Sequence, residues 1–238
     1  MQTKCLNCQA DVRSANYCAS CGQSTKHERL LVPVIIDDFT HAFLHTDKSI
    51  LKLIPGLAYK PGIIARDYVN GKRKSLHNPF NFVVLTVAIS SFIIIASGVD
   101  VFNGSSKDEP VMRLAQQHFN LVILLTVPIL VFTTWLFVRK QYNFAECAVL
   151  VAYTSGFRSL FHTFLFIPLQ YFFPQMFSIG IPVYMFIFFC YYGMSVMQFT
   201  GKRDIWTFLK GFVAGFLMQV ILTLLFTLAF TYYYFIHK

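Results

Sequence analysis

The run FVAGFLMQVILTLLFTLAFTYYYF, from Phe212 to Phe235, contains no charged side chain. A helix needs about 20 apolar residues to cross the roughly 30 Å of hydrocarbon in a bilayer, and this run has that length. Lipid offers no hydrogen bonds to the backbone, so an apolar run in a membrane forms a helix that satisfies its own polar groups. The stretch therefore predicts a transmembrane helix.

Four further apolar runs precede this one, at residues 80–97, 119–138, 144–166 and 179–199. Of the whole chain, 55% is hydrophobic and only 13% is charged, whereas about 25% of a soluble domain is charged. Together the runs predict an all-α polytopic membrane protein with a five-helix transmembrane domain in residues 79–238. The fifth helix is expected at residues 212–235.

The positive charges indicate how these helices are oriented. Eleven of the 20 Lys and Arg residues lie before residue 75. Five more lie directly after the second and fourth apolar runs, in segments that five spans would place on the same side as the N-terminus: Arg139, Lys140, Lys202, Arg203 and Lys210. Cytoplasmic loops carry an excess of Lys and Arg. Five spans with a cytoplasmic N-terminus satisfy this rule, and they place Lys238 in the periplasm.

The net charge of +9 does not by itself indicate a nucleic-acid partner. Most of the basic residues flank apolar runs, where they pair with anionic lipid headgroups. The expected partner is therefore the lipid bilayer, and no nucleic acid is expected. Within this group, Lys72, Arg73 and Lys74 immediately precede the first span and are candidate headgroup contacts.

Two CxxC pairs, Cys5 with Cys8 and Cys18 with Cys21, stand near the start of the chain. Four thiolates in two such pairs fit a tetrahedral zinc site, and four protein ligands leave no open position for a substrate. The spacing predicts a zinc ribbon in residues 1–29 that holds one structural Zn²⁺. Thiolates must stay reduced to hold the metal, which also favours a cytoplasmic N-terminus.

Residues 30–78 have helical periodicity but are interrupted by Pro33, Pro55 and Pro61. Their apolar stretches are too short to span a bilayer. We interpret them as amphipathic helices on the cytoplasmic membrane surface. A small soluble helical domain that packs on itself remains an alternative.

The third run contains polar residues that lipid does not tolerate without a partner. Arg158 and His162 are one helical turn apart, so they share a face. A charge inside a membrane must face protein or a water-filled cavity. The residues form a candidate intramembrane polar site, or alternatively a network that only stabilises the bundle. The full candidate set is Arg158, His162, Thr154, Ser155 and Ser159.

The motifs resemble those of a bacterial membrane family catalogued as domain of unknown function 3667. The resemblance covers about residues 5–85 and rests on Cys5-Leu-Asn-Cys8, Tyr17-Cys18-Ala-Ser-Cys21-Gly22-Gln23, Pro61-Gly62, Gly71-Lys72-Arg73 and Asn78-Pro79. It implies a zinc-bearing protein of the bacterial inner membrane. The family has no assigned activity, so the resemblance implies no catalytic residues.

Two classes of function remain open from the sequence. The first is a non-enzymatic membrane adaptor or accessory subunit, whose zinc ribbon binds a protein partner in a larger assembly. The alternative is a small transporter, channel or lipid-handling protein that uses the site around Arg158 and His162. The chain contains no phosphate-binding glycine loop, nucleophile elbow or suitably paired carboxylates, so no catalytic residue is predicted. The oligomeric state is not predicted.

Overall fold

The computed structural model describes residues 4–12, 15–25, 29–31, 49–97, 119–173, 175 and 177–236. The regular structure of these residues is helical, and they contain two isolated antiparallel bridges but no β-strand. The surface helices expected within residues 32–48 lie outside the described residues, as does Lys238, which the charge distribution places in the periplasm.

The described helices are numbered in their order along the chain. They are α1 (Ser49–Tyr59), α2 (Pro61–Val69), α3 (Pro79–Ser97), α4 (Phe119–Val138), α5 (Phe144–Phe161), α6 (Ile167–Phe172), α7 (Phe177–Thr200) and α8 (Ile205–Ile236). A π-helical segment, His162–Phe166, joins α5 to α6.

Three helices in the described ranges are long and apolar enough to cross a membrane, namely Pro79–Ser97, Ser178–Thr200 and Ile205–Phe235. The all-helical, membrane-type architecture is thus confirmed. In α4, side chains are described over the apolar range Leu125–Val138, which is shorter than a helix needs to cross a membrane. In α5, Glu146 and Arg158 interrupt the apolar surface. Five spans therefore remain a prediction.

Two helices extend beyond the limits that hydropathy suggested. The third predicted run, residues 144–166, continues through the π-helical segment to Phe172. The last helix begins at Ile205 rather than Phe212 because Asp204 caps it: the Thr207 N–H donates to Asp204 Oδ2 at 2.9 Å. A capped helix start depends on local hydrogen bonds and not on hydropathy.

The core of the bundle surrounds the first half of α5. Residues from Val149 to Gly156 are buried without interruption, because neighbouring helices cover α5 on all sides. On one side, α3 runs parallel to α5, as the contacts Phe82–Tyr153 and Ser90–Ser159 show. On another side lies α7, which in turn packs against α8 through the edge-to-face rings of Phe189 and Phe212. The apolar bundle therefore has α5 as its central helix.

Helices α1 and α2 pack against this bundle. Leu57 and Ala65 are fully buried and belong to the same apolar core as α5 and α7. The backbone of Gly62 lies so close to α7 that an added Cβ would overlap the Ser195 carbonyl oxygen. The Gln198 side chain accepts a hydrogen bond from the Gly62 N–H at 3.1 Å. Packing on α7 thus fixes α2, while the depth of α1 and α2 relative to a bilayer remains a prediction.

Candidate metal centre and its attachment to the bundle

The four-cysteine head, residues 4–25 as described, consists of two knuckles with the same backbone plan 13 positions apart. In the first, the Cys5 N–H donates to Ala10 O at 2.8 Å; in the second, the Cys18 N–H donates to Gln23 O at 2.8 Å. One antiparallel bridge closes each knuckle, Lys4 with Asp11 and Tyr17 with Ser24. The residue after each second cysteine has a positive φ, as the turn requires. These equivalent turns bring two pairs of thiols to one point.

The four sulfur atoms, of Cys5, Cys8, Cys18 and Cys21, all lie within 4.8 Å of one another. The Cys5–Cys21 and Cys8–Cys18 sulfur pairs are each 3.6 Å apart. Zn–S bonds of about 2.3 Å in a tetrahedron place sulfurs about 3.8 Å apart, so the spacing fits one metal ion. Across the described residues, no other group of three or more His, Cys, Asp or Glu side chains is close enough to hold a metal. The predicted ligands therefore converge and can hold a metal ion.

Backbone N–H groups around the cluster favour the thiolate form. The N–H of Gln23 lowers the pKa of Cys21 to about 6, and the Asn7 side chain contributes to this shift. The pKa of Cys18 is also lowered, chiefly by the backbone N–H of Cys21. Thiolates are the form of cysteine that binds metal. Cys8 differs, because the Ala10 N–H lowers its pKa but burial and the neighbouring cysteine sulfurs raise it, to about 12. The backbone thus favours the thiolate at Cys18 and Cys21.

The side chain of Gln23 holds the head on the connection between α2 and α3. Its Nε2 donates to the Gly71 carbonyl at 2.6 Å. Its Oε1 accepts from the backbone N–H groups of Arg73 and Lys74 at 3.3 and 3.1 Å. All these bonds are to the backbone, so they fix the course of the connection without involving its basic side chains.

Asn7, inside the first knuckle, makes a second attachment to the same connection. Its Oδ1 accepts from the Ser75 N–H at 3.1 Å. Asn7 lies between Cys5 and Cys8, and Gln23 lies two positions after Cys21, the last of the four cysteines that can hold a metal. Because a metal would fix the backbone that carries both side chains, we expect it to stabilise the attachment as well.

The three predicted headgroup contacts differ in their surroundings. Lys72 Nζ lies 3.6 Å from Asp67 Oδ2. The guanidinium of Arg73 faces the Tyr68 ring at 6.0 Å. Lys74 is exposed. The connection therefore presents positive charge at the end of the bundle that carries the head.

The chain that leaves the head is attached to the start of α5. Arg29 forms two hydrogen bonds with the Glu146 carboxylate, at 2.8 and 3.1 Å. The Asn143 side chain donates to the Leu30 carbonyl at 2.8 Å, and Leu30 is buried. Asn143 and Glu146 also form the capping box of α5. One helix start thus holds the segment that follows the head.

Within the bundle, Arg158 and His162 lie together against α7. Arg158 Nε donates to the Tyr184 hydroxyl at 3.3 Å, and its guanidinium lies 4.4 Å from the centre of the Phe188 ring. The His162 ring packs edge-on to Tyr184 at 5.5 Å. Arg158 is half-buried, and its guanidinium lies against α7. The structure brings these two candidates together and adds Tyr184, which sequence did not predict.

The three hydroxyl candidates do not lie at the same place. Thr154 donates to the Leu150 carbonyl of its own helix at 2.9 Å. Ser159 donates to Ser90 on α3 at 2.8 Å, and Ser155 is buried within α5. Thr154 lies one turn before Arg158 and shares its face, but its hydroxyl bonds within α5, whereas Ser159 lies about 100° further round the helix and faces α3.

Sequence reasoning missed the residues that attach the head: Asn7, Gln23, Arg29, Asn143 and Glu146. The capping box could have been recognised from Asn143 and Glu146, which have the required spacing. No local signal could have paired Arg29 with a residue 117 positions away.

The fold and the cysteine cluster define a class: a helical protein with membrane-type helices and a four-cysteine head that can hold a metal ion. A family model, described as protein of unknown function (DUF3667), matches residues 47–91. The family resemblance is therefore confirmed for this segment, which covers α1, α2 and most of α3. Comparisons with curated proteins and with solved structures give no match.

The matched segment contains three of the motifs on which the resemblance was based. Pro61-Gly62 forms the start of α2 where it crosses α7. Gly71-Lys72-Arg73 belongs to the connection held by Gln23. Asn78 caps α3, since its Oδ1 accepts from the Phe80 N–H at 2.9 Å. The segment is thus the part of the bundle that receives the head.

Proposed function

We propose that the head holds one zinc ion through Cys5, Cys8, Cys18 and Cys21, and that this ion has a structural role. The sulfur spacing and the lowered pKa of Cys21 support this assignment. Four protein ligands complete a tetrahedral zinc shell, so no position remains for water or substrate. The zinc supplies folding free energy that so small a head cannot obtain from a hydrophobic core.

The chain resides in the bacterial inner membrane with five spans, a cytoplasmic N-terminus and a periplasmic C-terminus. This topology is supported by the parallel course of α3 and α5, between which α4 is the one helix that the described residues contain. It is also supported by the Tyr142 hydroxyl, which bonds the Phe199 carbonyl at 2.9 Å and so joins the start of α5 to the end of α7. Both basic connections, with Arg139 and with Lys202, then lie on the cytoplasmic side.

The protein acts as a non-enzymatic membrane adaptor or accessory subunit that presents its zinc-bound head to a protein partner. The observation that carries this proposal is the attachment of the head to the bundle by Asn7, Gln23 and Arg29. A head held at three points keeps a fixed outer surface. Tyr17 projects from that surface and is 67% exposed, and exposed tyrosines are enriched among residues that dominate protein interfaces.

A photo-crosslinking residue at position 17 tests this function in native membranes. We expect a crosslinked product of defined mass from position 17. The matched control is position 59, because Tyr59 is also exposed, at 77%, but lies outside the head. The product should disappear in the double variant Cys18→Ser, Cys21→Ser, which loses the metal. Equal products from positions 17 and 59, or none from position 17, contradict the adaptor role.

Metal analysis of the same preparations tests the zinc site separately. The wild-type chain should carry about one zinc ion, as a four-sulfur site holds one. Full occupancy in the double cysteine variant would exclude this site.

The second candidate function is transport, conduction or lipid handling at Arg158 and His162. A small apolar cavity beside Arg158, between α5 and α7, favours it.

A further inference from the structure

The sulfur of Cys21 is hydrogen-bonded by the two residues that attach the head to the connection between α2 and α3. The Asn7 side chain and the Gln23 backbone N–H both bond this sulfur. The Asn7 side chain also accepts the Ser75 N–H at 3.1 Å. The Gln23 side chain accepts the Lys74 N–H at 3.1 Å. The state of one sulfur is therefore linked to both attachments on this connection.

The cluster pairs accessible cysteines with buried ones. Cys8 is exposed and Cys21 is partly exposed, whereas Cys5 and Cys18 are buried. Each accessible sulfur lies 3.6 Å from a buried sulfur of the other knuckle, in the pairs Cys5–Cys21 and Cys8–Cys18. Cysteines that respond to oxidants are accessible and lie next to a second cysteine that can close a disulfide. Both pairs meet these two requirements.

A disulfide in either pair would change the surroundings of the cluster. It shortens the sulfur–sulfur distance from 3.6 Å to about 2.05 Å, so the two knuckles must shift. It also removes two thiolates, which are the form of cysteine that a metal needs as ligand. A disulfide sulfur is uncharged, and hydrogen bonds to uncharged groups are about half as strong as those to ions. The bonds from Asn7 and Gln23 to Cys21 therefore weaken on oxidation.

We propose that the four-cysteine head is an oxidation site, at which a peroxide forms the cross-knuckle disulfides Cys5–Cys21 and Cys8–Cys18, expels the metal and detaches the head from the connection between α2 and α3. The inference rests on the structural zinc site proposed above and adds a regulation to it. Detachment removes the fixed outer surface of the head. The partner of the adaptor is then bound only in the reduced, zinc-bound state.

The oxidation balances with hydrogen peroxide as the oxidant. For each disulfide, two thiolates lose two electrons as the S–S bond forms. One peroxide molecule accepts these electrons, its O–O bond breaks, and two protons from solvent complete two water molecules. The Zn²⁺ ion keeps its charge and passes to solvent. A thiol reductant restores the ligands, as is typical of cytosolic disulfides, which are mostly transient and catalytic or redox-sensing.

Treatment of the full, zinc-loaded chain in detergent with hydrogen peroxide tests the proposal. Zinc release is followed with a chromogenic chelator, and disulfides are mapped by mass spectrometry without reduction. Trypsin cleaves after Arg13, between the two knuckles. A cross-knuckle disulfide therefore joins two peptides, whereas a disulfide within one CxxC pair does not. We expect joined peptides and the release of about one zinc ion per chain.

Hydrogen exchange of two backbone N–H groups reports the attachment. The Lys74 N–H reports the bond to Gln23, and the Ser75 N–H reports the bond to Asn7. Both should exchange about tenfold faster or more after oxidation, because detachment opens these bonds locally. Reductant with added zinc should restore the slow exchange. The internal reference is the Thr207 N–H, which is also bonded by a side chain, Asp204, and should not change.

Two variants separate the attachment from the oxidation. In Asn7→Ala the Ser75 N–H should exchange fast before oxidation, and in Gln23→Ala the Lys74 N–H should do so. Peroxide should still release zinc from both variants but should not accelerate these N–H groups further. The matched control is Asn16→Ala, an exposed asparagine of the same head, which should behave like the wild type.

The wild-type measurements need no substitution, so they decide the proposal even if a variant does not fold. Retained zinc, disulfides confined to the CxxC pairs, or zinc release with unchanged exchange at Lys74 and Ser75 each overturns it. A reduced chain without zinc would overturn the zinc assignment itself. Crosslinking at position 17 under reducing conditions judges the adaptor role and does not depend on the response to peroxide.

Discussion

Arg29 and Glu146 form a two-point ion pair across 117 positions of sequence, with Nε–Oε1 at 2.8 Å and Nη2–Oε2 at 3.1 Å. The Glu146 side chain is 6% exposed and that of Arg29 is 64% exposed. The same carboxylate accepts the Asn143 N–H at 2.8 Å. Glu146 therefore caps α5 and anchors the segment that follows the head.

We expect the head to detach from the bundle more readily in the Arg29→Met variant than in the Glu146→Gln variant. The first substitution leaves a buried carboxylate without its counter-charge, which is more costly than removing the charge itself. A glutamine at position 146 still accepts the capping bond from Asn143. Limited proteolysis between the head and α1 measures release, and thermal unfolding in detergent measures the stability of the bundle.

A control for this comparison is Arg203→Met, because Arg203 is exposed and forms no ion pair that the described residues show. It should leave proteolysis unchanged. Faster proteolysis of Glu146→Gln than of Arg29→Met would mean that the cap, and not the buried charge, determines how firmly the head is held.

Gln9→Gly should strengthen metal binding by the head. Gln9 has φ +63°, and the equivalent residue of the second knuckle is Gly22 with φ +72°. The left-handed conformation costs a non-glycine residue about 1 kcal/mol, which glycine avoids. Competition with a zinc chelator should show tighter retention in Gln9→Gly and weaker retention in Gly22→Ala. A Cβ at Gly22 meets no atom within 4 Å, so any loss there reports backbone conformation alone. No change in either variant would contradict this account of the turns.

Gly62→Ala should destabilise the bundle by about 1–3 kcal/mol or more, the range found for overpacked cores. The added Cβ would lie 2.5 Å from the Phe199 backbone nitrogen, and a backbone cannot move aside as a flexible side chain can. The matched control is Gly180→Ala on α7, where the nearest atom, on Phe166, is 3.6 Å away. Thermal unfolding should show a lower midpoint for Gly62→Ala only. Equal midpoints would mean that α2 does not pack closely on α7 in solution.

Reporter fusions should place the two ends of the chain on opposite sides of the membrane. A fusion after Lys238 and one within residues 98–118 should give periplasmic alkaline phosphatase activity. A fusion after Lys140 is the cytoplasmic control and should be inactive. These expectations follow from the positive-inside rule with five spans. Phosphatase activity from the fusion after Lys140, or no activity from the fusion after Lys238, would mean that the number of spans is not five.

The amino-acid sequence by itself determined the helical membrane-type architecture and the four cysteines that can hold a metal ion. Both depend on local composition. An apolar run of about 20 residues has no alternative in lipid to a helix, and CxxC pairs place their sulfurs close together through turn geometry within each knuckle. The Asn143–Glu146 capping box is local in the same way, and so was available from the sequence.

Only the tertiary structure decided which distant residues meet. Arg29 pairs with Glu146, Gln23 with the connection after Gly71, and Arg158 with Tyr184, because the packing of α2, α5 and α7 brings their segments together. Hydropathy reports the free energy of placing a segment in lipid, but it does not specify which helices are neighbours. The hydroxyl of Ser159 illustrates this limit: the sequence grouped it with Arg158, whereas helix packing pairs it with Ser90 on α3.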